Sequence, residues 1–253
     1  NMTKRLVFSS WVAAPSAIAS LLSYETERRI RSSSGHLGRE TFSPRLQYRL
    51  TDGKPASMTT LGLFWPSPTL AKATDPLVAA RTDSHPLSVE RLRRWAEANV
   101  RELIGDSGDG ITSQATAWYW SAPFAHGVGE PLADQLATAT SVNLSEVLLG
   151  TIGDSGDDEA DAPRALSAHL TEAQGALNGE LPDGAPPSDL VETVALLGVA
   201  GPGNIAWRAL ARVIPPDSDV TELGHWRAAA LLASGFRAMF NRPDATYLMD
   251  VLG

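Results

Sequence analysis

The chain has 253 residues, a formal net charge of −8 and no cysteine. The lack of cysteine excludes a disulfide framework, a thiolate nucleophile and any cysteine-ligated zinc or iron–sulfur site. Because a net-negative chain does not attract phosphate backbones as a whole, the composition disfavours autonomous nucleic-acid binding unless the arginines cluster on one face. The length suits one large domain or two small ones, and it is too short for a complete two-lobed motor ATPase.

Hydrophobic residues make up 43% of the chain, which is enough for a packed core. No apolar run approaches the ~18 residues of a membrane span, and the N-terminus lacks the charged-then-apolar order of a signal peptide. We therefore expect a soluble, cytoplasmic protein with no membrane partner. Met2 follows Asn1, which indicates that Asn1 is a remnant of tag removal and that the start of the chain was chosen.

The first predicted elements form a β–α unit over residues 1–34. Arg5–Ser9 is short and rich in β-branched and aromatic residues, which predicts a buried strand. Pro15 suits the first turn of a helix, apolar residues then recur at i, i+3 and i+4, and the polar stretch Glu25–Arg31 continues that helix. A strand that ends just before a helix N-terminus directs hydroxyl and backbone N–H groups toward the edge where open α/β sheets bind phosphate-bearing ligands.

Residues 36–87 predict a small β element. Leu46–Leu50 alternates polar and apolar side chains, Asp52 and Gly53 form a turn pair, and Leu61–Trp65 is apolar. Together these segments predict a hairpin with a long loop.

From Ser88 onward, apolar residues recur at helical spacing. Ser88 is a candidate N-cap for a helix that ends at Gly105. Asp189 and Glu192, three residues apart, predict a capping box for another helix. We therefore predict a mainly α chain with a small β element, in which residues 35–253 form a mainly helical domain. The other predicted helices begin at Pro131 or cover Asp161–Leu177, Leu190–Leu197, Ile205–Val213, Val220–Phe240 and Asp244–Leu252.

Two acidic, glycine-rich segments, Ile104–Gly110 and Ile152–Asp158, share a Gly-Asp-Ser-Gly-Asp sequence. A serine-protease interpretation is disfavoured because the chain is helical and neither copy has the following glycine that shapes an oxyanion loop. A calcium loop of the EF-hand type needs a glutamate at its twelfth position, which after Asp106 is Ala117. We predict exposed connections, although the denser carboxylates of Asp154–Asp161 leave weak cation binding open.

The histidines and glycines predict no metal or phosphate site. No two of the five histidines have the spacing that places two metal ligands on one helix face. Gly198–Gly203 does not match the dinucleotide-binding fingerprint, and the Gly53-Lys54 pair is followed by Pro55 instead of the Ser or Thr of a P-loop. The glycines near residue 201 instead predict a break between two helices.

Trp118–Trp120 and the arginines at positions 91, 93 and 94 admit two interpretations. Aromatic rings with nearby cations are used to stack on nucleobases and contact phosphates. A Trp-rich stretch is more often core or a subunit contact, and spaced arginines are more often a solvated helix face.

Two sets of segments resemble a known family. Lys4–Trp11, Ile18–Leu22 and Glu25–Arg29 resemble the opening of the second RecA-like lobe of superfamily 2 helicases, where the strand carries motif IV. Thr193–Gly203 and Gly235–Pro243 resemble a group of large bacterial helicase-like proteins, in which a long helical insertion follows motif IV. The complete helicase-like protein is called the parent below.

The resemblance implies a non-catalytic part of an ATP-dependent helicase or translocase, which shapes the nucleic-acid path or holds a partner. It implies that Ser9, Ser10 and Trp11 contact the nucleic-acid backbone, with DNA favoured over RNA, and that the rest of the helicase chain is a partner. ATP and Mg²⁺ are implied for the parent, whereas no cofactor is expected in this chain.

The chain lacks a P-loop, an Asp-Glu-x-His box and the arginine-finger segment, so we expect it to be catalytically inactive alone. Two alternatives remain. One is a stand-alone helical protein-interaction module, and the other is a small enzyme that uses carboxylate pairs and a loop histidine such as His126.

Overall fold

The computed structural model describes residues 46–82, 87–106, 108, 115–139, 141–149, 162–215 and 217–242, together with Glu25, Arg29 and Ala245. The chain divides into two compact units, Gln47–Arg237 and Asn1–Leu46 with Ala238–Gly253. Glu25 and Arg29 are helical, as predicted, and form an ion pair of 2.7 Å. The predicted strand Arg5–Ser9, the candidate contacts Ser9, Ser10 and Trp11, and the last predicted helix, Asp244–Leu252, lie outside the described residues.

The described part of the chain is mainly α with one small antiparallel sheet, which confirms the predicted fold class. Its elements in chain order are β1 (Leu50–Thr51), β2 (Lys54–Pro55), α1 (Thr59–Phe64), α2 (Pro68–Ala73), α3 (Pro76–Thr82), α4 (Val89–Ile104), α5 (Ala115–Gly127), α6 (Leu132–Thr138), α7 (Ser141–Leu149), α8 (Ala162–Leu177), α9 (Leu190–Ala200), α10 (Pro202–Val213) and α11 (Glu222–Phe240).

The predicted turn of the hairpin is present, but its second strand is not where the sequence placed it. Asp52 and Gly53 have φ angles of 53° and 78°, so both central residues are left-handed, as a two-residue hairpin turn requires. The strand after the turn is β2, and Leu61–Trp65 instead forms most of α1 and its C-cap. The prediction was wrong because a short apolar run has no period that separates a buried strand from a buried helix.

α4 begins and ends where the sequence predicted. The Ser88 hydroxyl accepts a hydrogen bond of 3.3 Å from the Arg91 backbone N–H, and the helix ends at Gly105, whose φ is 84°. Ala96 and Val100 are fully buried on the inner face. This helix is amphipathic, so local capping and the apolar period agree with its tertiary position.

α9 begins at the predicted residue without the predicted capping box. Asp189 is the N-cap residue, but its side chain makes no capping hydrogen bond. Its carboxylate instead accepts a hydrogen bond of 2.5 Å from the Tyr119 hydroxyl, and Glu192 pairs with Arg93 at 3.1 Å. Partners from other helices therefore replaced the local bonds that the sequence spacing favoured.

The core of the Gln47–Arg237 unit is built around α4, α5 and α9. α9 packs most extensively against α4, and α5 contacts α8, α2 and α9. The sequence did not predict α5, because its residues are apolar on most sides and show no helical period. Rings join the aromatic part of the core: Trp65 lies edge-on to Phe124 and Trp226, at centroid distances of 5.0 and 4.7 Å.

The helix break predicted at residues 201–203 is confirmed. α9 and α10 meet at Gly201 and are bent by 47° relative to each other. The first turn of α10 lies so close to the end of α1 that a Cβ on Gly203 would be 2.5 Å from the Trp65 carbonyl carbon and oxygen. Among the described helices none is long and apolar enough by itself to cross a membrane, and only α9 with α10 meets those limits as a bent pair.

We predict that Gly203→Ala destabilises the protein by about 1–3 kcal/mol, because the added methyl group meets backbone atoms that cannot move away. Gly235→Ala is the matched control. Its Cβ meets no atom within 4 Å in α11, so that variant should keep or gain up to about 1 kcal/mol from helix propensity. Urea denaturation followed by circular dichroism measures both, and equal effects of the two substitutions would contradict the close approach.

Candidate functional site

A half-open groove lies in the Gln47–Arg237 unit between α5 and α9, and α1 with the turn before it closes the third side. Its volume of about 480 Å³ falls within the range of about 300–1,000 Å³ that is typical of small-molecule pockets. None of the described residues that line it has a charged side chain. The lining residues are Ser57, Met58, Thr59, Gly62, Leu63, Thr116, Tyr119, Trp120, Pro123, Thr193, Leu196, Leu197, Ala200 and Gly201.

The two long walls of the groove are helix faces with the same spacing. Each helix contributes residues at i, i+3, i+4 and i+7, which lie on one side of an α-helix. The side of α9 opposite its core residues is therefore apolar as well, and Leu196 is 66% exposed. The residues are Thr116, Tyr119, Trp120 and Pro123 on α5 and Thr193, Leu196, Leu197 and Ala200 on α9.

A carboxylate lies next to Tyr119, one of the residues that line the groove. The Tyr119 hydroxyl donates to Asp189 at the N-terminus of α9, and this hydrogen bond, followed by burial and the charge of Asp189, raises the pKa of Tyr119. Tyr119 therefore stays protonated at neutral pH and cannot act as a base there. The negative charge next to Tyr119 belongs to Asp189.

The hydroxyls of the turn before α1 are bonded to each other. Ser57 Oγ and Thr59 Oγ1 lie 2.8 Å apart, and the Thr59 backbone N–H donates to Ser57 Oγ at 3.2 Å. Behind the turn, the two ring nitrogens of buried His169 lie 3.0 Å from the Ser57 carbonyl oxygen and 2.7 Å from that of Ala165. His169 thus fixes the turn to α8 and does not reach the groove.

The other two described histidines, His225 and His126, are partly buried. His225 stacks on Trp207 with a centroid distance of 3.7 Å and an interplanar angle of 10°, and its Nε2 lies 3.2 Å from the Trp207 carbonyl oxygen. Burial lowers the pKa of His126, the loop histidine of the enzyme alternative, which the structure places near the end of α5. His36 and His85 lie outside the described residues.

The Trp118–Trp120 stretch divides between core and groove. Trp118 packs against the core with its indole nitrogen buried, whereas Tyr119 and Trp120 line the groove. The nearby arginines do not form a purely basic face, because Arg93 pairs with Glu97 and Glu192. This arrangement favours the core-and-contact interpretation over base stacking.

The first acidic segment is described only in part. Asp106 is exposed and pairs with Arg101 at 3.1 Å, as expected for a solvated connection, and Ile152–Asp158 lies outside the described residues. Within the described ranges, no three His, Asp or Glu residues lie close enough to hold a metal ion together. The groove is therefore the feature with the clearest binding geometry in the described part of the chain.

We predict that the free energy of unfolding falls as the pH drops below about 6.5, because burial lowers the pKa of His225 and the unfolded chain binds a proton more readily. The Trp207 carbonyl and Glu222 oppose this shift, and Lys72 adds to it. His225→Gln should lose part of the pH dependence. Urea denaturation between about pH 7.5 and about pH 5.5 measures the pH dependence of the free energy of unfolding. His126→Gln is measured in parallel, because burial lowers the pKa of His126 as well. The same pH dependence in His225→Gln as in the wild type would contradict the assignment to His225.

Comparisons of this chain with models of protein families, with curated proteins and with solved structures found no match.

Proposed function

We propose that this chain is a non-catalytic part of a superfamily 2 helicase-like protein and that its helical domain holds a partner for the parent. One observation carries the second part. Thr193–Gly203, one of the segments that resemble helicase-like proteins, supplies one long wall of the groove, namely Thr193, Leu196, Leu197, Ala200 and Gly201. A segment that is both helicase-like and groove-forming links the resemblance to binding.

The glycines of that segment support the same view, because they serve packing. A Cβ on Gly198 would lie 2.6 Å from Thr74 Oγ1, and Gly203 lies against the backbone of Trp65. These glycines set the position of α9, and hence of the groove wall, and they do not form a phosphate cradle.

The second helicase-like segment, Gly235–Pro243, contributes side chains that fasten other parts of the chain. Arg237 donates to the Leu149 carbonyl oxygen at the end of α7 and lies 5.2 Å from the centre of the Tyr48 ring. Within the other unit, Asn241 accepts a hydrogen bond from the Leu46 N–H and donates one to the Leu46 carbonyl, each 2.9 Å long. These roles are structural, in keeping with a scaffold.

ATP hydrolysis is assigned to the rest of the parent. Hydrolysis needs a phosphate cradle, magnesium carboxylates and an arginine together. Asp158–Asp161 reads Asp-Glu-Ala-Asp, but the chain has no Gly-Lys-Ser or Gly-Lys-Thr to hold the phosphates, so carboxylates alone do not make a nucleotide site. Ser9, Ser10 and Trp11 remain the proposed contacts to the nucleic-acid backbone of the parent.

A stand-alone protein-interaction module is the alternative, and one observation favours it: all the described residues that line the groove lie within Ser57–Gly201. The reading frame on both sides of the encoding region separates the two functions. A helicase part predicts a Gly-Lys-Ser/Thr loop upstream and a Gln-x-x-Gly-Arg-x-x-Arg segment downstream. A frame that closes on both sides without them would overturn the helicase assignment.

We predict that the isolated chain binds DNA with a dissociation constant weaker than ~10 μM at physiological salt, because its net charge is negative. Fluorescence anisotropy with labelled single- and double-stranded DNA over a salt series measures this. Tight binding with a steep salt dependence would show a basic face in the chain and would contradict the scaffold role.

A further inference from the structure

We infer that the groove between α5 and α9 binds an amphipathic helix of a partner protein. The face of the partner helix that enters the groove is apolar, and basic residues of the partner flank that face. This inference rests on the proposed partner-holding function and names the class of partner. The carrying observation is the juxtaposition of two helix faces, each spaced i, i+3, i+4 and i+7, over the short helix α1.

The two helix faces that form the groove suit a third helix as the bound partner. Two helices that face each other across an open channel present ridges to which a third helix packs with its own i, i+3, i+4 and i+7 residues. Leu196 lines the groove and is 66% exposed. A helix lying along α5 and α9 would remove this apolar surface from water.

Three of the hydroxyls that line the groove are already used within the protein. Ser57 and Thr59 bond to each other, and the Tyr119 hydroxyl donates to Asp189. A ligand that needs these three hydroxyls would have to break their bonds. Tyr119 and Trp120 supply the kind of rigid aromatic surface that dominates binding energy at protein interfaces.

The charges of this chain near the groove indicate which residues of the partner flank its apolar face. None of the described residues that line the groove is charged, so a charged residue of the partner pointing at them would lose its hydration without compensation. The carboxylate of Asp189 lies next to Tyr119, and the chain as a whole has a net charge of −8. The complementary partner is therefore apolar on the inner face and basic on its flanks, with a Lys or Arg near Asp189.

The test uses the whole chain and two fluorescein-labelled synthetic peptides of identical composition, built from leucine, lysine and alanine. In the first, leucines stand at i, i+3, i+4 and i+7, and in the second they are redistributed so that no helix face is apolar. We expect the first peptide to bind at least about tenfold more tightly than the second by fluorescence anisotropy. Equal binding of the two peptides would overturn the inference, since charge alone would then explain it.

Matched variants locate the site. Leu196→Glu places a carboxylate on the groove wall and should weaken binding of the first peptide at least about tenfold. Leu231→Glu makes the same change at a 52% exposed position of α11 that does not line the groove, and it should leave the affinity unchanged. Both side chains are exposed, so both variants should fold, and circular dichroism checks this. Equal affinities of the two variants would also overturn the inference.

The other occupants give different results. A wild-type dimer in sedimentation equilibrium that Leu196→Glu abolishes would show that a second copy fills the groove. The ¹⁹F signal of 5-fluorotryptophan at position 120, assigned with Trp120→Phe, should shift with the first peptide. A shift with an apolar dye and not with the peptide would indicate a small ligand. This result would overturn the inference, and so would a dimer that Leu196→Glu abolishes. The flanking reading frame tests the helicase assignment separately, so its failure leaves the peptide result standing.

Discussion

The corner between α9 and α10 is the constraint on which the groove depends. The buried Arg208 guanidinium donates to the carbonyl oxygens of Gly198 and Val199 at the end of α9, at 2.7 and 2.6 Å, and to that of Ala71 near the end of α2 at 3.4 Å. The last carbonyls of a helix have no partner within it and carry partial negative charge, so a cation there satisfies both needs. A single side chain thus fixes the ends of two helices.

Burial is the main cost of this arrangement. Desolvation lowers the pKa of Arg208, the charge of Asp75 partly opposes that shift, and the charge of Arg212 adds to it. An arginine remains protonated under these conditions because its ordinary pKa is so high, whereas a lysine would be more easily neutralised. Beside it, Asn204 accepts from the Ser67 N–H and donates to the Leu197 carbonyl, which binds the first turn of α10 to the neighbouring elements. Hydrogen bonds from side chains to backbone atoms therefore hold the corner together.

The corner between α9 and α10 explains why one face of α9 packs in the core while the opposite face lines the groove. α9 uses one face for the core through Leu190, Val191, Val194 and Ala195, while Arg208 and Gly203 hold its end against α2 and α1. Its opposite face then stands beside α5 across the channel. A helix that is apolar on both sides is normally buried on both, and here the second face lines the groove, where we have placed a partner.

Local rules in the sequence determined the mainly α class, the Ser88 cap, the end of α4 at Gly105, the turn at Asp52 and Gly53 and the helix break near Gly201. They succeeded because capping, turn conformation and the period of an amphipathic helix depend on residues a few positions apart. They failed for Leu61–Trp65 and for α5, whose apolar runs carry no period. The tertiary structure alone decided that Tyr119 replaces the cap of α9 as the partner of Asp189, and that residues from 57 to 201 meet in one groove. The hydrogen bond of Tyr119 and the groove both join residues that are far apart in the chain, and no local sequence pattern encodes such contacts.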